Sequence, residues 1–175
     1  MKFDDLDLKM LIPGDCILVG GKGIISRGIK WFTDSKYSHA AIYVGGGKNY
    51  VIEATMAGVE KNPITDLLGH SENLCIRRIP ELTAEDAAAM KDKAYELLYE
   101  TYDVLQFISY IPYFIFRKFG INLPFLVFNK RNKMVCSELY AVCALAAGVK
   151  FAKNIKFVTP ETLYETKKMI TIYEK

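Results

Sequence analysis

The order of secondary-structure signals predicts an α+β fold, with a largely antiparallel sheet packed against helices. Three observations point to it. Short β-forming runs crowd the segment from Cys16 to Ile79, helical spacing dominates the middle of the chain, and β-formers return at its end. Strands clustered together and joined by turns, instead of alternating with helices, favour antiparallel pairing. With 175 residues, 51% hydrophobic and 25% charged, the chain is long enough for one core and too apolar to be disordered. Residues 1–175 are therefore read as a single domain.

Pro13-Gly14-Asp15 marks a turn, and Cys16 to Val19 follows as a short buried strand. Gly20 to Gly23 is a glycine-rich loop, not a phosphate loop, because Lys22 is followed by Gly23 and not by Ser or Thr. Ile24 to Phe32 has helical apolar spacing. Tyr37 to Val44 and Tyr50 to Ala54 flank the turn residues Gly45 to Asn49 and form a hairpin. Gly58 to Ile64 and Leu74 to Ile79 are further strands. Thr83 caps a helix with acidic residues in its first turn, running to about Tyr99. Tyr99 to Phe128 carries ten aromatic residues but also Pro112, Gly120 and Pro124, so it is not one unbroken helix. Asn129 to Lys133 is a basic loop. Cys136 to Ala147 is a helix stopped by Gly148. Phe157-Val158 and Ile170 to Tyr173 are predicted as final strands, with a helix start at Thr159-Pro160-Glu161 between them.

Composition narrows the function. A net charge of +3, from 23 basic and 20 acidic residues, is too mild for a dedicated nucleic-acid binder. Cys16, Cys75, Cys136 and Cys143 form no Cys-x-x-Cys pair, and His39 and His70 stand at no ligand spacing to them. No metal site and no cofactor are expected. The charged first ten residues, MKFDDLDLKM, do not resemble a signal peptide, so the thiols are expected reduced and the compartment cytoplasmic. The most apolar run, Phe107 to Phe116, is far shorter than the ~20 residues of a membrane span.

His39 shares a strand face with Ala41 and Tyr43, a mixed face, while Ala40, Ile42 and Val44 face a core. With an odd-length loop centred on Gly47, residue i pairs with residue 94 − i, which sets Glu53 opposite Ala41 and diagonal to His39 on the same face. A diagonal partner is within reach of a glutamate side chain, so the carboxylate can orient the imidazole. An even-length loop would turn Glu53 to the other face. Cys136 opens a helix, where free N–H groups lower a thiol pKa. Cys143 lies deeper in that helix and reads as core, as do Cys16 and Cys75 on strands. Spacing alone does not connect Cys136 to His39 and favours a packing role for each.

Several of these residues together resemble a known family. Pro13-Gly14-Asp15, Ser38 to Tyr43, Val51 to Ala54 with Gly58-Val59, Tyr102-Asp103 and Val135 to Leu139 match, in that order, the circularly permuted branch of the NlpC-type papain-like superfamily, in which His precedes Cys. The branch includes YaeF/YiiX-like and poxvirus proteins and, more distantly, lecithin:retinol acyltransferase. The resemblance implies Cys136 as nucleophile, His39 as general base, Glu53 as orienting residue and Tyr102 as a contributor to an oxyanion hole. It implies attack on an amide or ester carbonyl through an acyl-thioester, ending in hydrolysis or, with another acceptor, acyl transfer.

The substrate class is open between small molecule, lipid and peptide. The aromatic region 99–128 reads first as a helical layer on the sheet. Its alternative is an apolar groove or a peripheral membrane contact, flanked by Lys118, Lys130, Arg131 and Lys133. A binding module without turnover is the rival to the enzyme, and a cell-wall peptidase is a weaker third. Oligomeric state is not encoded in any of these signals.

Overall fold

Cys16-Ile17-Leu18-Val19 is apolar at every position, the pattern of a strand covered on both faces. In the computed structural model, which describes residues 3–23, 26, 27, 30, 35–55, 57–98 and 136–175, that strand is central. β1 (Cys16–Gly21) pairs with β2 (His39–Gly45) on one side and β5 (Ser71–Arg78) on the other. β3 (Tyr50–Thr55) and β4 (Gly58–Pro63) extend the sheet beyond β2, and β6 (Ile170–Glu174) lies outside β5. Among the described residues the sheet has six strands in the order β4-β3-β2-β1-β5-β6, and every pair is antiparallel.

The hairpin register is the one that places Glu53 beside His39. Ala41 faces Glu53, Ile42 faces Ile52 and Tyr43 faces Val51. Nearer the turn, Gly45 faces Tyr50, so an extra residue bulges from β2 there. Gly45 and Gly46 take positive φ of 75° and 93°, conformations glycine adopts without the Cβ penalty.

Alternation divides the sheet's side chains between two cores. Cys16, Leu18, Ala40, Ile42, Ile52 and Cys75 pack beneath α2 (Ala84–Glu96) and α3 (Cys136–Ala146). Ile17, Val19, Ala41, Tyr43, Val51, Leu74 and Ile76 pack on the other face with Phe3, Leu11, and Ile64 and Leu68 of α1 (Ile64–Gly69). The face expected to be mixed is thus a second core apart from its His39 end. Its cover is the N-terminal segment and α1, a short helix that begins directly after Pro63 with no side-chain cap to announce it.

Local chemistry fixes the helix ends. Thr83 and Asp86 form a reciprocal capping box at α2, and Thr159 and Thr162 form another at α4 (Pro160–Glu165), where Pro160 occupies the first turn. Gly148 follows α3 with φ of 73°. One expectation fails. Ile155–Phe157 is a 3-10 turn and Val158 is its extended cap, not a strand, because the Asn154 side chain accepts from the Lys156 N–H and winds the backbone. Of Ile24 to Phe32, the described Ser26, Arg27 and Lys30 are helical. The aromatic region 99–128 and the basic loop Asn129 to Lys133 lie outside the described residues. Among the described residues no helix is long and apolar enough to cross a membrane.

Candidate active site

Three elements converge at one end of β2. His39 is the first residue of that strand and Cys136 the first residue of α3. α3 packs against β2, β3 and α2, with Leu139, Tyr140 and Cys143 fully buried along its inner side. Two hydrogen bonds anchor it: Ser137 Oγ donates to the Val158 carbonyl at 2.6 Å, and Tyr140 Oη donates to the Gly14 carbonyl at 3.0 Å. The second bond uses the turn before β1, where the Gly14 N–H also donates to the Tyr43 carbonyl of β2 at 2.9 Å, so β2 and α3, which supply the site, share one fixed point. That turn is itself held by Asp15, whose buried carboxylate takes two hydrogen bonds of 2.7 Å from Arg78 and one of 2.9 Å from the Ile12 N–H.

The site's central contact joins β2 to β3. His39 Nε2 lies 2.7 Å from Glu53 Oε2. Glu53 is 7% exposed, and its other oxygen, Oε1, accepts from Asn62 Nδ2 at 3.1 Å. With Nε2 held by Glu53, the ring's remaining nitrogen is left for Cys136, whose thiol also hydrogen-bonds His39. The β2–β3 ladder ends at Ala41 opposite Glu53, and the N–H of Ala40, one residue beyond it, reaches the Cys136 sulfur together with the N–H of Ser137.

These contacts oppose the cost of burying charge. Burial disfavours the charged form of both partners, yet His39 is raised above its ordinary 6.5 by the Cys136 thiolate and by Glu53. Cys136 is lowered below its ordinary 9.0 because the imidazolium and the two backbone N–H groups outweigh desolvation. Glu53 is lowered below 4.5, against its own burial, by His39 and then Asn62. The other thiols feel burial with no such compensation. Cys75 is pushed up to about 11, Cys143 to about 12, and Cys16 well above 9.0.

The structure therefore brings Cys136, His39 and Glu53 together, while Tyr102 lies outside the described residues. Sequence reasoning missed Asn62. Its signal was an asparagine in the strand after β3, on the face that bears Glu53; finding it required the β3–β4 register, which pairs Glu53 with Glu60 and so sets Asn62 on the diagonal.

A cleft of about 610 Å³ opens beside His39 and Glu53. Its lining includes Val19, Gly21, Ser38, Asn62, Leu67 and His70. The Ser38 hydroxyl, next to the histidine, is tied to Ser26 Oγ at 2.5 Å and accepts from the Gly21 N–H at 3.3 Å. Among the described residues no three His, Cys, Asp or Glu side chains converge as a metal site would need.

Comparison with known proteins identifies the family and the fold. Residues 11–173 match the family described as permuted papain-like amidase enzymes, YaeF/YiiX, C92. The chain is 34% identical over 119 residues to the probable lipoprotein peptidase YaeF of Escherichia coli K12; the match covers 68% of this chain and 42% of YaeF, less than half of that relative's length. The crystal structure of YiiX from Escherichia coli O157:H7, described as a metalloprotein, superposes with a TM-score of 0.69 at 21% identity, covering 93% of this chain and 97% of that one. The fold expected from the sequence motifs is the fold observed, and the chain belongs to the permuted papain-like amidase family.

Proposed function

We propose that the protein is a cysteine-dependent hydrolase that cleaves an amide or ester carbonyl with Cys136 as nucleophile, His39 as acid and base, and Glu53 as the residue that orients His39. The observation that carries the reading is the contact chain Cys136–His39–Glu53, in which one thiol of four is lowered and the imidazole beside it raised. A stable thiolate–imidazolium pair supplies both the attacking sulfur and the proton for the leaving group.

In this mechanism the Cys136 thiolate adds to the carbonyl carbon, and the N–H groups at the start of α3 face the oxygen that gains charge. His39 gives its proton to the leaving nitrogen or oxygen, the bond to the leaving group breaks, and an acyl-thioester remains. Neutral His39 then takes a proton from water, whose oxygen attacks the thioester; the carbon–sulfur bond breaks and the ion pair is restored. An acyl acceptor that displaced water would make the same site a transferase. YaeF is named a probable lipoprotein peptidase, which supports a polypeptide or lipid-modified polypeptide as the substrate class here, and the cleft beside His39 is large enough for more than a water-sized leaving group.

Site-resolved alkylation with iodoacetamide, followed by mass spectrometry across pH, tests the reading. Cys136 labels fastest, with an apparent pKa below the ~8.5 of a free thiol, and His39→Ala raises it. Incubation with an activated ester then leaves an acyl group on Cys136. If Cys136 instead behaves like Cys143, the nucleophile assignment is wrong and a binding role without turnover takes its place.

A further inference from the structure

We infer that Asn62 is a positioning residue of this site, holding the Glu53 carboxylate in the orientation that meets His39 Nε2; the inference rests on the Cys136–His39 reading. Glu53 sits on the middle strand of three. The residues directly opposite it offer no donor side chain: Ala41 on β2 has none, and Glu60 on β4 carries a like charge. Glu60 is itself turned to Thr55, whose hydroxyl donates to it at 2.6 Å. The donors that Glu53 does find come from the two diagonal positions, His39 on one side and Asn62 on the other.

Each of those donors takes one carboxylate oxygen. His39 holds Oε2 and Asn62 holds Oε1, so the carboxylate plane is fixed at both ends. An ionised carboxylate only accepts, so the amide presents its NH2 group to Glu53. With Glu53 93% buried, removing Asn62 strips that hydrogen bond from an oxygen which has little access to water. The ionised form of Glu53 then becomes costlier and the carboxylate is free to rotate away from Nε2. Both effects lower the charge on His39 and, through it, the thiolate character of Cys136. Asn62 thus acts through Glu53 and His39, without touching the sulfur.

The test is the pH dependence of Cys136 alkylation by iodoacetamide in Asn62→Ala and Asn62→Gln, with His39→Ala and Glu53→Gln as references. Asn62→Ala raises the apparent thiol pKa by about half a unit or more, the size expected from losing one hydrogen bond to a charged group and passing part of it along the chain. Asn62→Gln, which keeps the donor, restores part of the shift, and Asn62→Ala adds nothing in a Glu53→Gln background. Asn62→Val, which suits a strand and has no donor, replaces the alanine variant if that one does not fold. If His39→Ala raises the pKa and neither Asn62→Ala nor Asn62→Val does, Asn62 is structural only and the inference is overturned. If His39→Ala has no effect either, the reading of the whole site falls, and this inference with it.

Discussion

Four buried thiols in one small protein meet opposite electrostatic fates. Burial alone makes a thiolate costly, and Cys16, Cys75 and Cys143 follow that rule. Cys136 departs from it because a histidine and two backbone N–H groups face its sulfur. The pH dependence follows with a definite sign. Cys136 gains its charge at a pH below 9.0 and His39 keeps its charge to a pH above 6.5, so turnover, which needs both the thiolate and the imidazolium proton, is confined between the two titrations, whereas alkylation follows the thiolate alone. Both rates fall on the acid side as the thiolate protonates, and turnover alone falls on the alkaline side as His39 loses the proton it gives the leaving group. Stability has matching limbs. Glu53, lowered in the fold, contributes stability that is present above 4.5 and lost as pH falls through its folded value. His39, raised in the fold, contributes stability that is complete below 6.5 and lost as pH rises through its folded value. Urea unfolding followed across pH checks this: Glu53→Gln removes the carboxylate's share of the acid limb, and an unchanged acid limb would refute the assignment.

Among the elements, α3 carries Cys136 as its first residue, and a helix delivers that residue only as well as its start is fixed. Ser137→Ala removes the buried bond to the Val158 carbonyl and leaves that acceptor without it, at a cost of about 1–3 kcal/mol. The same substitution slows Cys136 alkylation at neutral pH, since the N–H of Ser137 shifts with the helix end. Denaturant melts and labelling rates measured on one preparation separate the two effects. Arg78→Met acts from the far end of the site's support. It leaves the fully buried Asp15 carboxylate with the Ile12 N–H but without its cation, which costs about 3 kcal/mol or more and loosens the turn that receives Tyr140. Thermal unfolding reports the loss. Neither anchor was legible in the sequence, where Asp15 read as a turn residue and, like Ser137, as part of a family motif. Hydrogen bonds to a distant carbonyl leave no periodic trace, whereas the capping residues Thr83 and Thr159 were visible because their partners are local.

Taken together, the six strands, the helices opening after Thr83, at Cys136 and after Thr159 and, for an odd-length turn, the diagonal of His39 with Glu53 could be read from alternation and turn chemistry, which depend on neighbours in the chain. The second core could not, because α1 and the N-terminal segment reach Ile17, Val19 and Tyr43 through space. Asn62 stayed hidden for the same reason: its meaning comes from a register between β3 and β4 that no hydrophobic pattern specifies in the polar run Gly58–Pro63. Because one sheet supplies both cores, they are expected to unfold together. Leu139→Ala under α3 and Ile17→Ala on the opposite face each cost about 2–5 kcal/mol, and each lowers a single transition seen alike by circular dichroism and tyrosine fluorescence. Two separated transitions would show that the faces are independent. The bulge next to Gly45 has a consequence for how such a sequence can change over time. A one-residue slip of β3 against β2 would turn every side chain of β3 over and carry Glu53 away from His39, so a residue inserted or deleted between Tyr43 and Tyr50 has to be taken up by the turn or by the bulge. Length variants of this hairpin that keep the pair intact therefore confine the change to the turn and the bulge, while the positive φ of Gly45 and Gly46 holds the composition of that turn nearly as tightly.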